Sequence, residues 1–355
     1  MSDGYRIAVV GATGVVGQTV LEILSKRPQL PVSELVPFAS QRTRGRAVAF
    51  RGQDLACDVL TEDSIDGFDL VFSSAGGSVS TEWAPRFVDR GAIVIDKSSS
   101  YRMDESVPLV VPEVNPDALD TGRLGIISSP NCSTMQLVVA LAPIYRAVGL
   151  REIIVSTYQS VSGTGRAALH ELDDQTRAQL ASGTAPKPAV YPHPIAFNVL
   201  PQVETFEGGE AGYTTEELKI MKETRRILGL DPEDHSVLPI TATCARVPVH
   251  NCHSESIRVE TVDPLTADAC RELMRHAPGV RLVDDPFNGR YPLASEAAGQ
   301  DDVFVGRIRQ DLGRENCLNL WVVGDNLRKG AALNAVQIAE HLHSKGRLGR
   351  AHAIA

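Results

Sequence analysis

The chain runs to 355 residues, 43% hydrophobic and 22% charged, which is long enough for two domains with their own cores and too apolar for wholesale disorder. A formal charge of −9 excludes nucleic-acid binding as its main business. Its longest apolar run, within residues 137–150, is broken by Pro143 and Arg146 and is too short to span a bilayer.

Tyr5–Val10 is a continuous apolar run, the pattern of a parallel strand buried on both faces. It ends in Gly11-Ala12-Thr13-Gly14-Val15-Val16-Gly17 and passes into a helical pattern over Thr19–Leu24. A glycine turn between strand and helix lets backbone N–H groups approach a pyrophosphate, so a dinucleotide site is expected there. The next strand, Glu34–Ala39, ends without the acidic residue that would hold an NAD ribose. It runs instead into Ser40, Gln41, Arg42, Thr43, Arg44 and Arg46, hydroxyls and guanidiniums suited to the 2′-phosphate of NADP(H). Strands at Leu70–Phe72, Ala92–Asp96, Leu109–Val111 and Gly125–Ile127 follow, with small-residue turns at Ser73–Ser78 and Lys97–Arg102. Repeated β–turn–α units imply a doubly wound parallel sheet with its ligands at the strand carboxyl ends, where Gly14, Ser74, Arg102 and Cys132 would share one rim.

At residues 126–136, IISSPNCSTMQ, a strand runs through a Ser-Ser-Pro-Asn turn into an apolar helix. That arrangement puts Cys132 at a helix N-terminus, among unpaired N–H groups and the positive end of the dipole, a place that favours the nucleophilic thiolate. Six cysteines (57, 132, 244, 252, 270 and 317) show no CxxC pair, and the opening residues leave no room for a signal peptide, so reduced thiols in the cytoplasm are expected.

Beyond residue 140 the texture becomes α+β. Arg151–Gln159 alternates like a strand, Ser160–Gly165 is a polar turn, and Arg166–Ala181 is an amphipathic helix. Ser182–Pro194 reads as an extended loop and Thr214–Leu228 as a charged helix with Glu216 and Lys219 on one face. Cys244–Val249 and Ser254–Val262 read as antiparallel strands, Leu318–Val323 as another, and Gly330–His343 as a helix returning to the first domain. The expected division is a cofactor domain over 1–132 with the returning segment 328–355, and a catalytic domain over 133–327. His250, Cys252 and His253 lack a fourth ligand at plausible spacing, so no metal site is expected.

An activated cysteine, a dinucleotide turn, Arg102 at a strand end and the run Arg246-Val-Pro-Val-His-Asn-Cys-His253 ask for one explanation. Thiolate plus nicotinamide points to an acyl-phosphate or aldehyde oxidoreductase working through a thioester, with a histidine as acid and base.

Nearly the whole chain resembles the aspartate-β-semialdehyde dehydrogenase family. The likeness is carried by GATGVVG, FASQRTRG, DKSSSYRM, PLVVPEVNP, SSPNCST, QSVSGTGR, EELK, RVPVHNCHSES and GDNLRKGAA. The resemblance implies an α/β fold, with a Rossmann-like parallel-sheet domain, an α+β catalytic and dimerisation domain, and a homodimer or homotetramer. It implies Cys132 as the nucleophile that forms the acyl-enzyme and His253 as its acid/base partner. It assigns Gln159 to orienting the substrate, Arg246 to its α-carboxylate and Glu216 to its amino group. Arg102, Asn131 and Lys219 would take the phosphate. Gly11, Thr13, Gly14, Val15, Val16, Ser40, Gln41, Arg42, Thr43, Ser74, Ser162, Gly163 and Asn326 would contact NADP(H). The implied reaction converts aspartyl phosphate to aspartate semialdehyde and inorganic phosphate on the way to lysine (through diaminopimelate), threonine, methionine and isoleucine, with no nucleic acid and no membrane as partner. An N-acetyl-γ-glutamyl-phosphate reductase-like enzyme and a non-catalytic NADP-binding protein are the competing readings. Lys97 departs from the family pattern and is expected to point to solvent.

Overall fold

Short apolar runs separated by turns and helices become one parallel sheet in the first part of the chain. The computed structural model describes residues 4–120, 125–206 and 212–348. The chain divides after Asn131 and again after Gly330 into two compact units, the first combining the N-terminal part with the segment that begins at Ala331.

In the first unit β1 (Tyr5–Val10) leads through a glycine turn into α1 (Val15–Lys26) and β2 (Val32–Phe38). A small antiparallel hairpin, β3 (Ala47–Phe50) and β4 (Gln53–Ala56), precedes β5 (Leu70–Ser73), α2 (Gly77–Asp89), β6 (Ile93–Asp96) and β7 (Ile126–Ser128). The sheet order is β2-β1-β5-β6-β7 and every pair is parallel. Ile7, Leu70, Val71, Ile93 and Val94 have no exposed surface, because helices cover both faces. One face packs on α2 through Phe38, Phe68 and Phe87, whose rings meet edge to face. The other packs on α1 and on α8 (Leu333–Ser344), which contributes Leu333, Val336, Ile338 and Leu342 to the core around Ile7 and Val9. Tyr5 bonds His343 at 2.9 Å and Arg27 pairs with Glu340 at 2.8 Å, so the late helix is an integral layer of the early sheet.

The second unit opens with α3 (Cys132–Val148) and β8 (Leu150–Gln159). Next come α4 (Arg166–Ser182), α5 (Thr215–Ile227), β9 (Ile240–Arg246), β10 (His253–Thr261), α6 (Ala267–His276) and β11 (Val280–Leu282). α7 (Ala294–Ala297), β12 (Val303–Gln310) and β13 (Cys317–Gly324) complete it. Its mixed sheet has the order β11-β12-β13-β10-β8-β9. β8 and β10 alternate buried and part-exposed residues, so one face is covered, and α3 and α5 pack against this sheet.

The expected α/β architecture is the one observed, and three local expectations are corrected. Leu109–Val111 is not a strand: Leu109 forms a single bridge to Ser128, because Pro108 and Pro112 on either side have no N–H for a ladder. β9 and β10 are not partners; β8 lies between them, and β9 runs parallel to β8 because the connection from one to the other carries two helices and so permits a crossover. β12 escaped the sequence reading because its register shifts between Gly306 and Arg309, where Arg307 takes φ 51°, and the shift destroys the alternation.

Candidate active site

The dinucleotide turn in the first unit is built on two glycines that admit no side chain. A Cβ at Gly17 would lie 2.3 Å from the Gly11 carbonyl oxygen, and one at Gly11, whose φ is 81°, would press on the backbone of Ser74 and Ala75 at 3.0 and 3.1 Å. Gly14, at the N-cap of α1, offers no side chain, so the first N–H groups of the helix meet no capping group. Beside them opens a cleft of about 610 Å³ lined by Gly11, Thr13, Gly14, Ser40, Gln41 and Ser74, with Phe38 and Trp83 as apolar walls. An uncapped helix N-terminus, a glycine floor and an apolar slot of this size fit a dinucleotide.

Val15, Val16, Arg42 and Thr43 do not line that cleft: Val15 and Val16 are the first residues of α1, and Thr43 bonds Ser40 at 3.2 Å across a short 3₁₀ turn that leaves Arg42 exposed. Of the lining residues, Ser74 donates its hydroxyl to the Val10 carbonyl at 2.9 Å. Arg102 is 6% exposed and donates to the Lys97 carbonyl at 2.8 Å. Lys97 itself does not point to solvent. Its ammonium is part-buried and donates to the Pro130 carbonyl at 2.7 Å. Asn131, the next residue, is buried at the end of the first unit.

Cys132 is the first residue of α3 and, of the six cysteines, the one that is not buried. Burial pushes the thiols of Cys244, Cys252 and Cys270 up, the last to about 12, and holds them in the inert protonated form. Gly330 backs the cysteine: a Cβ there would lie 2.9 Å from that of Cys132 and 3.5 Å from that of Asn326. The second residue of α3, Ser133, accepts from the Gln159 amide, whose Nε2 also donates to Glu216 Oε1 at 2.8 Å. Gln136, one turn on, donates to the His253 carbonyl at 3.3 Å. The first turns of α3 are thus tied to the ends of β8 and β10 and to the start of α5.

Around that knot lie the other expected residues of the second unit. Glu216 is 3% exposed, and its Oε2 lies 3.8 Å from Lys219, whose ammonium also meets Glu204. Arg246, at the end of β9, donates to the Ser160 carbonyl at 2.7 Å and lies 5.9 Å from the Tyr191 ring centre. His253 is 1% exposed, and burial, then the Arg246 charge, hold its ring well below the ordinary histidine value, so the ring is neutral at pH 7. A Cβ on Gly163 would come within 3.4 Å of both His253 Nε2 and Arg246 Nη1, so glycine leaves room where the two side chains converge. Three buried atoms at this place meet no hydrogen-bond partner among the described residues: Gln159 Oε1, Arg246 Nε and His253 Nε2.

The sequence reading missed several members of this neighbourhood. Ser160 holds the His253 ring, Asn326 accepts from Ser160 and from the Cys252 N–H, and Cys252 takes φ 73° immediately before the histidine. Asn326 and Ser162, expected as cofactor contacts, bond each other at 3.0 Å in this interior. Only the proximity of Ser160 to Gln159 in the chain could have signalled its part.

Residues 6–122 match the semialdehyde dehydrogenase NAD binding domain and residues 141–329 the semialdehyde dehydrogenase dimerisation domain. The aspartate-semialdehyde dehydrogenase of Aquifex aeolicus is 50% identical over 345 residues, covering 97% of this chain and 99% of that protein. That of Bacillus subtilis is 47% identical, covering 96% and 98%. The crystal structure of aspartate semialdehyde dehydrogenase II from Vibrio cholerae superposes with a TM-score of 0.90 at 42% identity over 96% of this chain and 99% of that one. A further structure of the Vibrio cholerae protein, complexed with ASA, does so with the same score at 43% identity, over 97% and 99%. The chain belongs to the aspartate-semialdehyde dehydrogenase family, and it is an oxidoreductase with a nicotinamide-dinucleotide-binding domain. No helix among the described residues is long and apolar enough to cross a membrane.

One buried acid in the same unit has a measurable consequence. Glu255, two residues beyond His253 on β10, has no exposed surface, and burial pushes its carboxyl well above the ordinary value of 4.5, with the Gln136 amide opposing part of the rise. The native protein therefore keeps a proton that the unfolded chain releases, and this contribution to stability falls as pH rises above about 4.5. Glu255→Gln should relieve that loss. The urea-unfolding midpoint of the variant, relative to wild type, should climb between pH 5 and pH 8; a difference that does not change with pH would show that Glu255 is ionised in the native state.

Proposed function

We propose that the chain catalyses the NADP-dependent reductive dephosphorylation of L-aspartyl-4-phosphate to L-aspartate-4-semialdehyde through a thioester on Cys132. The observation that supports this reading most is the set of three unpartnered buried atoms, Gln159 Oε1, Arg246 Nε and His253 Nε2, in the unit that Cys132 opens. A guanidinium N–H, an amide oxygen and an imidazole nitrogen are what an amino-acid carboxylate, an ammonium and a reacting carbonyl require.

Arg246 takes the α-carboxylate and Glu216, with the Gln159 oxygen, the amino group, which fixes the C4 carbonyl for attack. His253 Nε2 accepts the Cys132 proton as sulfur bonds to C4, and the oxyanion is stabilised at the N-terminus of α3. The C4–O bond to phosphate then breaks, and Arg102, Asn131 and Lys219 bind the departing phosphate. Bound NADPH supplies the hydride that reduces the thioester carbon. Protonated His253 gives its proton to the new oxygen and takes it back as the carbonyl re-forms, the C–S bond breaks and the thiolate departs.

The cofactor is held by the α1 turn (Gly11, Thr13, Gly14, Val15, Val16) and by Ser74, and Ser162, Gly163 and Asn326 are further contacts. Ser40, Gln41, Arg42 and Thr43 read the 2′-phosphate. The enzyme works as a homodimer or homotetramer in the cytoplasm, supplying the lysine, threonine, methionine and isoleucine branches. A free amine on the substrate is favoured over an acylated one because Glu216 is a buried carboxylate with one oxygen 3.8 Å from Lys219 and the other on Gln159, a setting suited to an ammonium.

Cys132→Ala should abolish phosphate-dependent oxidation of aspartate semialdehyde while leaving NADPH affinity within about threefold of wild type; steady-state turnover in the variant, or activity confined to the N-acetylated glutamate analogue, would refute the proposal. Arg42→Ala should raise the Michaelis constant for NADPH much more than that for NADH. Equal changes would mean that Arg42 does not read the 2′-phosphate.

A further inference from the structure

His253 Nδ1 faces two atoms of the same residue that make opposite demands. The Ser160 backbone N–H lies 3.1 Å away and can only donate, which calls for a bare Nδ1 and puts the ring proton on Nε2. The Ser160 hydroxyl oxygen lies 3.2 Å away and can accept, which calls for Nδ1–H and leaves Nε2 with its lone pair. Only the second form can act as a base at Nε2, the ring atom that meets no partner among the described residues.

The surroundings decide where the hydroxyl proton goes. The Cys252 N–H donates to Asn326 at 3.0 Å, and since a backbone N–H cannot accept, the contacting amide atom is the oxygen. Ser160 Oγ lies 3.1 Å from that same oxygen, which can only accept, and donation to it turns the hydroxyl lone pairs toward the ring. The Asn326 amide nitrogen then donates to Ser162 Oγ at 3.0 Å, and Ser162 donates to Asn251 Oδ1 at 3.2 Å. Asn251 donates in turn to the Asp325 carboxylate at 2.8 Å. The contact between Ser160 Oγ and Ser162 Oγ, 3.1 Å, lies alongside this path and offers the Ser160 proton another acceptor away from the ring. Asp325, 1% exposed, also receives the N–H groups of Gly299, Leu327 and Arg328, so the far end is rigid.

We propose that Ser160 is a positioning residue which, at the head of a directed chain of hydrogen bonds running through Asn326, Ser162 and Asn251 to Asp325, holds His253 in the Nδ1–H tautomer that can serve as a base. The arrangement gives a buried histidine the directing carboxylate of a catalytic triad at four residues' remove. The backbone N–H of residue 160 is the competitor, and it stays when the hydroxyl is removed. Loss of Oγ removes one of the ring's two acceptors, the other being the Cys252 carbonyl, while the opposing N–H stays, and so shifts the tautomer balance toward Nε2–H. The inference rests on His253 as the proton carrier.

The test joins kinetics to ¹⁵N NMR of protein labelled at histidine, with the His253 signals identified by their loss in His253→Asn. In wild type above the ring pKa, His253 should carry a proton on Nδ1, and a spectrum showing it wholly as the Nε2–H tautomer would overturn the proposal whatever any variant does. Ser160→Ala should move the ring to Nε2–H and lower kcat by about 10²-fold, the lower end of what a general acid–base contributes, with KM for aspartate semialdehyde changed less than about threefold. Wild-type kcat in Ser160→Ala, alongside an inactive His253→Asn, would overturn the role of Ser160 alone; an active His253→Asn would overturn the proton-carrier reading beneath it.

Discussion

Three buried polar atoms that meet no partner among the described residues are the constraint on which the proposed site depends. Burying a hydrogen-bonding atom unsatisfied costs about 1–3 kcal/mol, and a protein normally turns such an atom toward water or a neighbour. Gln159, Arg246 and His253 cannot turn. The Gln159 amide nitrogen is committed to Ser133 and Glu216, Arg246 is held by the Ser160 carbonyl, and the His253 ring by Ser160. On the proposed reading these three atoms are held in place for a small, charged, carbonyl-bearing molecule.

The cysteine follows the same logic of fixed surroundings. α3 places Cys132 where helix N–H groups end, Gly330 leaves no side chain against it, and Ser133 and Gln136 bind that helix to β8 and β10. Cys244, Cys252 and Cys270 are buried deep enough to stay protonated, and Cys132 is the one cysteine that is not buried. The glycine turn of the first unit presents helix N–H groups to a dinucleotide with no side chain in the way.

Local chemistry was legible in the sequence wherever a residue type has one use. Gly11 and Gly17 mark a turn that no other residue can make, and the apolar runs of β1, β5 and β6 announce strands buried on both faces. The place of Cys132 at the start of a helix was legible because a turn precedes it and an apolar run follows. Partnerships across the sheet were not legible: β9 beside β8 rather than β10 follows from a crossover that no local pattern encodes, and the shifted register of β12 hides its alternation. Ser160 and Asn251 were missed for a related reason. Serine and asparagine belong to any polar turn, and only the fold reveals that their donors and acceptors run in one direction. Lys97 was misjudged because a lysine near a loop is usually solvated, whereas here a carbonyl lies within its reach.

The account's central claim is covalent chemistry at Cys132. Enzyme mixed with aspartate semialdehyde and NADP in the absence of phosphate, quenched in acid within the first turnover and digested, tests it directly by mass spectrometry of the peptide containing residues 126–136. An aspartyl adduct on Cys132, lost when phosphate is present before the quench, is the predicted result. Stoichiometric NADPH formation with an unmodified Cys132 peptide would contradict it.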